Sequence, residues 1–109
     1  QNEKQQLNLQ REMISNRAAA FELNTRALLS QQNAEISKQQ ELTASDSAII
    51  RLRRSVKEAA RAQLENGVIS ANDYLREVNA EDQARQSLLN HRLQLLQAAI
   101  NLKTTEGKL

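Results

Sequence analysis

The sequence predicts an all-α chain, a long antiparallel helical hairpin or coiled coil rather than a compact globule. Three observations carry that expectation. The 109 residues include no proline and only two glycines, so almost nothing interrupts a helix. Aromatic residues make up 2% of the chain and hydrophobic residues 39%, many of them alanine, so burial is expected along a narrow seam between helices. Ala, Gln, Glu, Arg, Leu and Asn dominate, while β-branched and aromatic strand formers are few.

The first helix is predicted over about residues 3–42. Leu7, Ile14, Phe21 and Leu28 recur every seven residues, Ala18 fills an intermediate position, and Leu29 and Ile36 extend a neighbouring stripe. Arg11, Thr25 and Gln32 interrupt that stripe, so the helix is expected to need a partner. "ELTASDSAII" then changes the pattern. Thr43, Ser45 and Asp46 are N-cap residues, and Thr43 with Asp46 forms a loose capping box. A tight turn is expected at 43–47. One uninterrupted helix is the alternative, because each residue there is tolerated inside a helix.

A second helix is expected over about 48–65, with Ile49, Leu52, Val56, Ala59 or Ala60, and Leu64 at alternating three- and four-residue spacing. "ENGVISAND" ends it in a break at 66–70. Asn66 and Gly67 suit a helix C-terminus, with Gly67 in the left-handed conformation that a Cβ disfavours. Ser70 is the next N-cap, and Asp73 is its first-turn partner. Val68 and Ile69, apolar in so short a connection, are expected to pack against something. A third helix is predicted over about 71–106. It places Leu75, Val78, Leu89, Leu93, Leu96 and Ile100 on one face, has Ala80 and Ala84 for close approach, and has Gly107 as its C-cap.

Little in this chain suggests chemistry, and the reading is of a non-enzyme with no cofactor, no metal and no catalytic residue. His91 is the single histidine and has no carboxylate or cysteine at helical spacing, so a structural role is expected of it. Glu81 and Asp82 are adjacent and so point about 100° apart on a helix, which prevents a shared carboxylate site. Tyr74 is expected to anchor the break by packing. No phosphate-cradling glycine loop occurs. Net charge is +2, and the basic run Arg51, Arg53, Arg54, Lys57 and Arg61 reads as a solvated face, or else as a surface for phosphate or lipid headgroups. No aromatic residue lies near that run to stack on bases, so nucleic acid is not an expected partner. Zero cysteines exclude disulfides and thiolate metal sites. No apolar run reaches the ~18 residues of a membrane span. A start at Gln1 rather than Met reads as a cut or processed chain.

The order "AQLENGVIS", "NDYL", "NAEDQAR", "LQLLQAAINLKTTEG" resembles the end of a repeat in the TolC-like outer-membrane efflux family. The matching positions are Leu64, Gly67, Ile69, Ser70, Asp73, Leu75, Ala84, Leu88 and Gly107, over roughly residues 46–107. Residues 1–42 fit only as a generic long helix. The resemblance implies the periplasmic helical barrel of a trimeric export duct in the outer membrane of Gram-negative bacteria. That duct docks to a periplasmic adaptor and an inner-membrane pump, and meets the membrane only through a β-barrel absent from this chain. On that template Thr43, Ala44, Ser45 and Asp46 form the adaptor-contacting tip. Asn66, Gly67, Ser70 and Asp73 mark an equatorial break at which the wall changes direction without folding back. A full hairpin at 67 would take away the footing of the duct-wall assignment. The chain holds no barrel strand and no second repeat, and Glu35 and Glu41 are not identifiable as a constriction. It therefore reads as a single helical segment of a larger protein, whose excised form is expected to self-associate.

Two rival readings stand beside this one. The residues "ENGVISANDYL" also resemble a SHOCT-type oligomerisation module, although such modules end shortly afterwards and this helix continues for about thirty residues. A generic structural or adaptor coiled coil without a transport role would explain Gly67 as a simple hairpin loop.

Overall fold

The computed structural model describes residues 2–108. Two helices fill that span, α1 over Asn2–Glu65 and α2 over Ala71–Gly107. The chain reverses between them at residues 66–70. Side chains meeting across the pair prove the antiparallel course: Gln32 meets Thr105, Asp46 meets Ser87 and His91, and Lys57 meets Glu81. As the position rises on one helix it falls on the other. The molecule measures 97 × 19 × 14 Å. At about 1.5 Å per residue, α1 alone accounts for the long dimension.

The pairing is a heptad seam. On α1 the positions turned from solvent include Thr25, Leu29, Gln32, Ile36, Gln39, Leu42, Thr43, Asp46, Ser47, Ile50, Lys57, Ala60 and Leu64. On α2 they include Tyr74, Glu81, Ala84, Leu88, His91, Leu95, Ala98, Leu102 and Thr105. Alternating steps of three and four keep both rows facing each other along the pair, which is coiled-coil geometry. Among the described residues only Ile50, Ala60 and Ala98 are buried apolar ones, whereas Gln39, Asp46 and Glu81 are buried polar ones. Residues 2–24 of α1 extend past the end of α2 and are exposed throughout.

The expected turn at 43–47 is absent. A single helix replaces the two predicted over 3–42 and 48–65, so those segments are collinear and do not pair with each other. The reason is part local and part across the seam. Thr43 and Ser47 hydroxyls donate to the carbonyl oxygens of Gln39 and Thr43, each four residues back (2.7 and 3.1 Å), so they sit inside a helix without capping a new one. Asp46 turns across the seam instead. The expected jog at 66–70 is a full reversal, and the described residues form two helices instead of three, the segment predicted as the third being α2. Gly107 is the last helical residue and has no positive φ; Lys108 is the C-cap.

The seam itself also differs from the expectation. Leu29, Ile36, Ala60, Leu64, Val78 and Ala84 are turned at least partly from solvent. Leu7, Ile14, Phe21, Leu28, Ile49, Leu52 and Val56 on α1 are exposed, as are Leu75, Leu89, Leu93, Leu96 and Ile100 on α2. The strongest apolar stripes of the sequence therefore lie outside the hairpin.

Candidate functional site

Three features give the hairpin its chemical character: the closed end, a polar ladder in the seam, and the outer face of α2.

The closed end is built from backbone chemistry. Val68 donates its N–H to Gln63 O (2.8 Å) and Gly67 donates to Leu64 O (3.0 Å), which is the Schellman pattern that satisfies the last carbonyls of α1. That pattern needs a left-handed residue, and Gly67 supplies it at φ +73°. A Cβ at Gly67 would meet nothing within 4 Å, so backbone strain alone selects glycine there. Ser70 then caps α2 through a reciprocal box. Asp73 N–H donates to Ser70 Oγ and Ser70 N–H donates to Asp73 Oδ2, both at 3.2 Å. The Ser70 backbone N–H, followed by its hydroxyl, holds the Asp73 carboxyl below the usual range. Asn66 and Val68 are exposed at this end, and Ile69 and Tyr74 are half-buried.

Thr43, Ala44, Ser45 and Asp46 lie mid-helix on α1, remote from the reversal. Ala44 and Ser45 face solvent, Thr43 is half-buried, and Asp46 is buried. The four residues present no turn to a partner.

The seam ladder begins near the closed end with Glu81. Its buried carboxylate meets Lys57 Nζ at 2.5 Å, Arg85 Nη2 at 3.0 Å and Arg54 Nε at 3.6 Å. The hydrogen bond from Lys57, then that from Arg85, pulls the Glu81 carboxyl down to about 2, and the same contact raises Lys57. Arg54 and Lys57 of the basic run are therefore engaged within the hairpin. Further along, Asp46 accepts from Ser87 Oγ (3.4 Å) and pairs with His91 Nδ1. This is the one partner that sequence spacing could not supply to His91, because it lies 45 positions away on the other helix. The Ser87 hydroxyl points to the carboxylate and not to the imidazole. Gln39 donates to Glu35 (2.9 Å), and Gln32 donates to Thr105 Oγ1 (2.9 Å). Among the described residues, no group of three or more His, Cys, Asp or Glu side chains converges as a metal site. The contacts of Glu81, Asp46 and Gln32 run from one helix to the other and fix which residues face each other, whereas Gln39 bonds within α1.

The outer face of α2 is apolar. Leu89, Leu93, Leu96 and Ile100 each sit two positions from a seam residue, His91 or Ala98. Two helical positions span about 200°, so this stripe lies on the side of α2 opposite α1. Its four side chains are 54–57% exposed.

No family model, curated protein or solved structure matches the chain.

Proposed function

We propose that the hairpin is a wall segment of a larger helical assembly, of the kind that forms an outer-membrane export duct, with its tip at the closed end, residues 66–70. The outer apolar stripe of α2 carries this reading. A free-standing two-helix hairpin has use for one seam only, whereas a helix in a closed wall has a neighbour on each side. Here α2 has two such faces, a mixed one toward α1, with polar residues set among alanines and leucines, and an apolar one away from it. The long exposed stretch of α1 also calls for neighbours.

The full reversal at 66–70 withdraws the mapping of a tip at 43–47 and an equatorial jog at 67. What supports a duct is now narrower. It consists of two long antiparallel helices and apolar stripes left uncovered. In this form of the proposal the parent protein is a homotrimer whose helical part lies in the periplasm. The exposed Asn66 and Val68 meet the adaptor of an inner-membrane pump in place of Thr43, Ala44, Ser45 and Asp46.

The hairpin at Gly67 also favours a second reading, a structural or adaptor coiled coil that oligomerises without transporting anything. One experiment separates the two. The 109 residues hold no cysteine, so Val68→Cys in the full-length parent, with any cysteine elsewhere in it replaced by serine and expressed in a Gram-negative host, gives a single crosslinking position. The duct reading expects outer-membrane fractionation, a trimer, and a crosslink from position 68 to a periplasmic protein. A parent that fractionates away from the envelope and forms no such crosslink contradicts it and leaves the coiled coil.

A further inference from the structure

We infer that a second copy of this chain covers the outer stripe of α2, packed antiparallel with Leu89 opposite Ile100 and Leu93 opposite Leu96. The inference takes from the reading above only that this face is an assembly surface, and it names the occupant and the register; an antiparallel pair turns its two closed ends in opposite directions, so it builds the coiled-coil form of that assembly and not a trimeric duct whose tips meet one adaptor.

Three observations single out a second copy in that direction. The residues Leu89, Leu93, Leu96 and Ile100 are separated by four, three and four positions, the coiled-coil repeat. That spacing reads the same in both directions, so the stripe meets its own reverse with an apolar residue in every layer. The next positions in the repeat decide the orientation. They are Asp82 and Gln86 before the stripe and Lys103 after it. A parallel, in-register pair would set Asp82 against Asp82 at one end of the contact and Lys103 against Lys103 at the other, a like-charge arrangement that disfavours it. The antiparallel pair sets Asp82 against Gly107 and Lys103 against Gln86, so neither charge meets its like. Flanking charges then agree. Arg85 comes beside Thr104 of the second copy and within two residues of its Glu106, close enough for an ion pair that forms twice by symmetry. Arg85 keeps half its side chain in solvent (48%) while bonded to Glu81, so it is free to reach outward.

The resulting assembly is a flat row of four helices, α1–α2 followed by α2–α1 of the second copy. Both hairpin seams stay intact, because every stripe residue points away from them.

Single cysteines test the register in the isolated 109-residue chain. Mixing Leu89→Cys chains with Ile100→Cys chains under mild oxidation should give an abundant heterodimeric disulfide. Leu89→Cys alone should give little, since its two sulfurs would lie about 16 Å apart along the axis. Sedimentation should show a dimer for the parent sequence and a monomer for Leu93→Glu/Leu96→Glu, with helical content per chain held near that of the parent. A disulfide between two Leu89→Cys chains in preference to the mixed pair would overturn the antiparallel register. A monomeric parent chain would overturn the second copy as occupant, yet leave the envelope crosslink from position 68 as a separate test of the duct. A double variant that stays dimeric would move the interface elsewhere.

Discussion

The two faces of α2 differ in a way that inverts ordinary expectation. The face turned toward α1 carries Tyr74, Glu81, His91 and Thr105 among its alanines and leucines, and it is the face the fold buries. The face turned away carries Leu89, Leu93, Leu96 and Ile100, and it meets water. Apolar burial supplies most of the free energy of folding, whereas buried polar contacts supply less energy and more discrimination between registers. The hairpin seam is thus suited to choosing one alignment, and the outer stripe to holding assembled hairpins together.

The largest loss within the hairpin should come from its few buried apolar groups. Ile50→Ala removes one of three buried apolar side chains and should cost about 2–3 kcal/mol, read as a lower urea midpoint by circular dichroism. An unchanged midpoint would mean that the seam contributes little and the contrast between faces is overdrawn. Gly67→Val comes next. It places a β-branched residue at φ +73° and should cost about 1–2 kcal/mol, whereas Gly67→Asn, which tolerates that conformation, should cost less. Equal effects of the two would show that the left-handed turn is not what closes the hairpin.

Acid sharpens the comparison from the polar side. The Glu81 carboxyl titrates near 2 in the folded hairpin against an ordinary 4.5, so its contribution to stability is present above about 4.5. That contribution is lost as the pH falls from 4.5 through 2. A urea midpoint followed between pH 6 and 2 should fall less steeply for Glu81→Gln than for the parent chain. Parallel curves would remove Glu81 from the account. The smallest effect belongs to the outer face: Leu93→Gln should leave the stability of the monomeric hairpin within about 0.5 kcal/mol. A loss as large as that of Ile50→Ala would place Leu93 inside the seam.

How far the sequence was legible follows the range of the interactions involved. Gly67, Ser70 and Asp73 could be read because a left-handed stop and a capping box are chemistry among residues within three or four positions. The direction of the chain after Gly67 could not, since a Schellman stop followed by an N-cap suits a jog and a reversal alike. Thr43, Ser45 and Asp46 looked like a turn because the same hydroxyls and carboxylates cap helices. Two long-range facts override that local preference: Thr43 and Asp46 lie in the seam, and Asp46 is met there by Ser87 and His91. The seam was misread for a related reason. Sequence reasoning takes the most apolar stripe as the buried one, and Gln32, Gln39, Asp46 and Glu81 are poor candidates by that measure. Each becomes intelligible only beside its partner: Thr105, Glu35, His91 and Lys57, respectively.

The contrast between the faces of α2 depends on a single reversal, at 66–70, with α1 straight through 43–47. Spin labels at the exposed positions 35 and 55 measure this directly by pulsed electron resonance. A straight helix places their backbones about 30 Å apart at 1.5 Å per residue. A turn at 43–47 would lay the two segments side by side at about 10 Å and contradict the account.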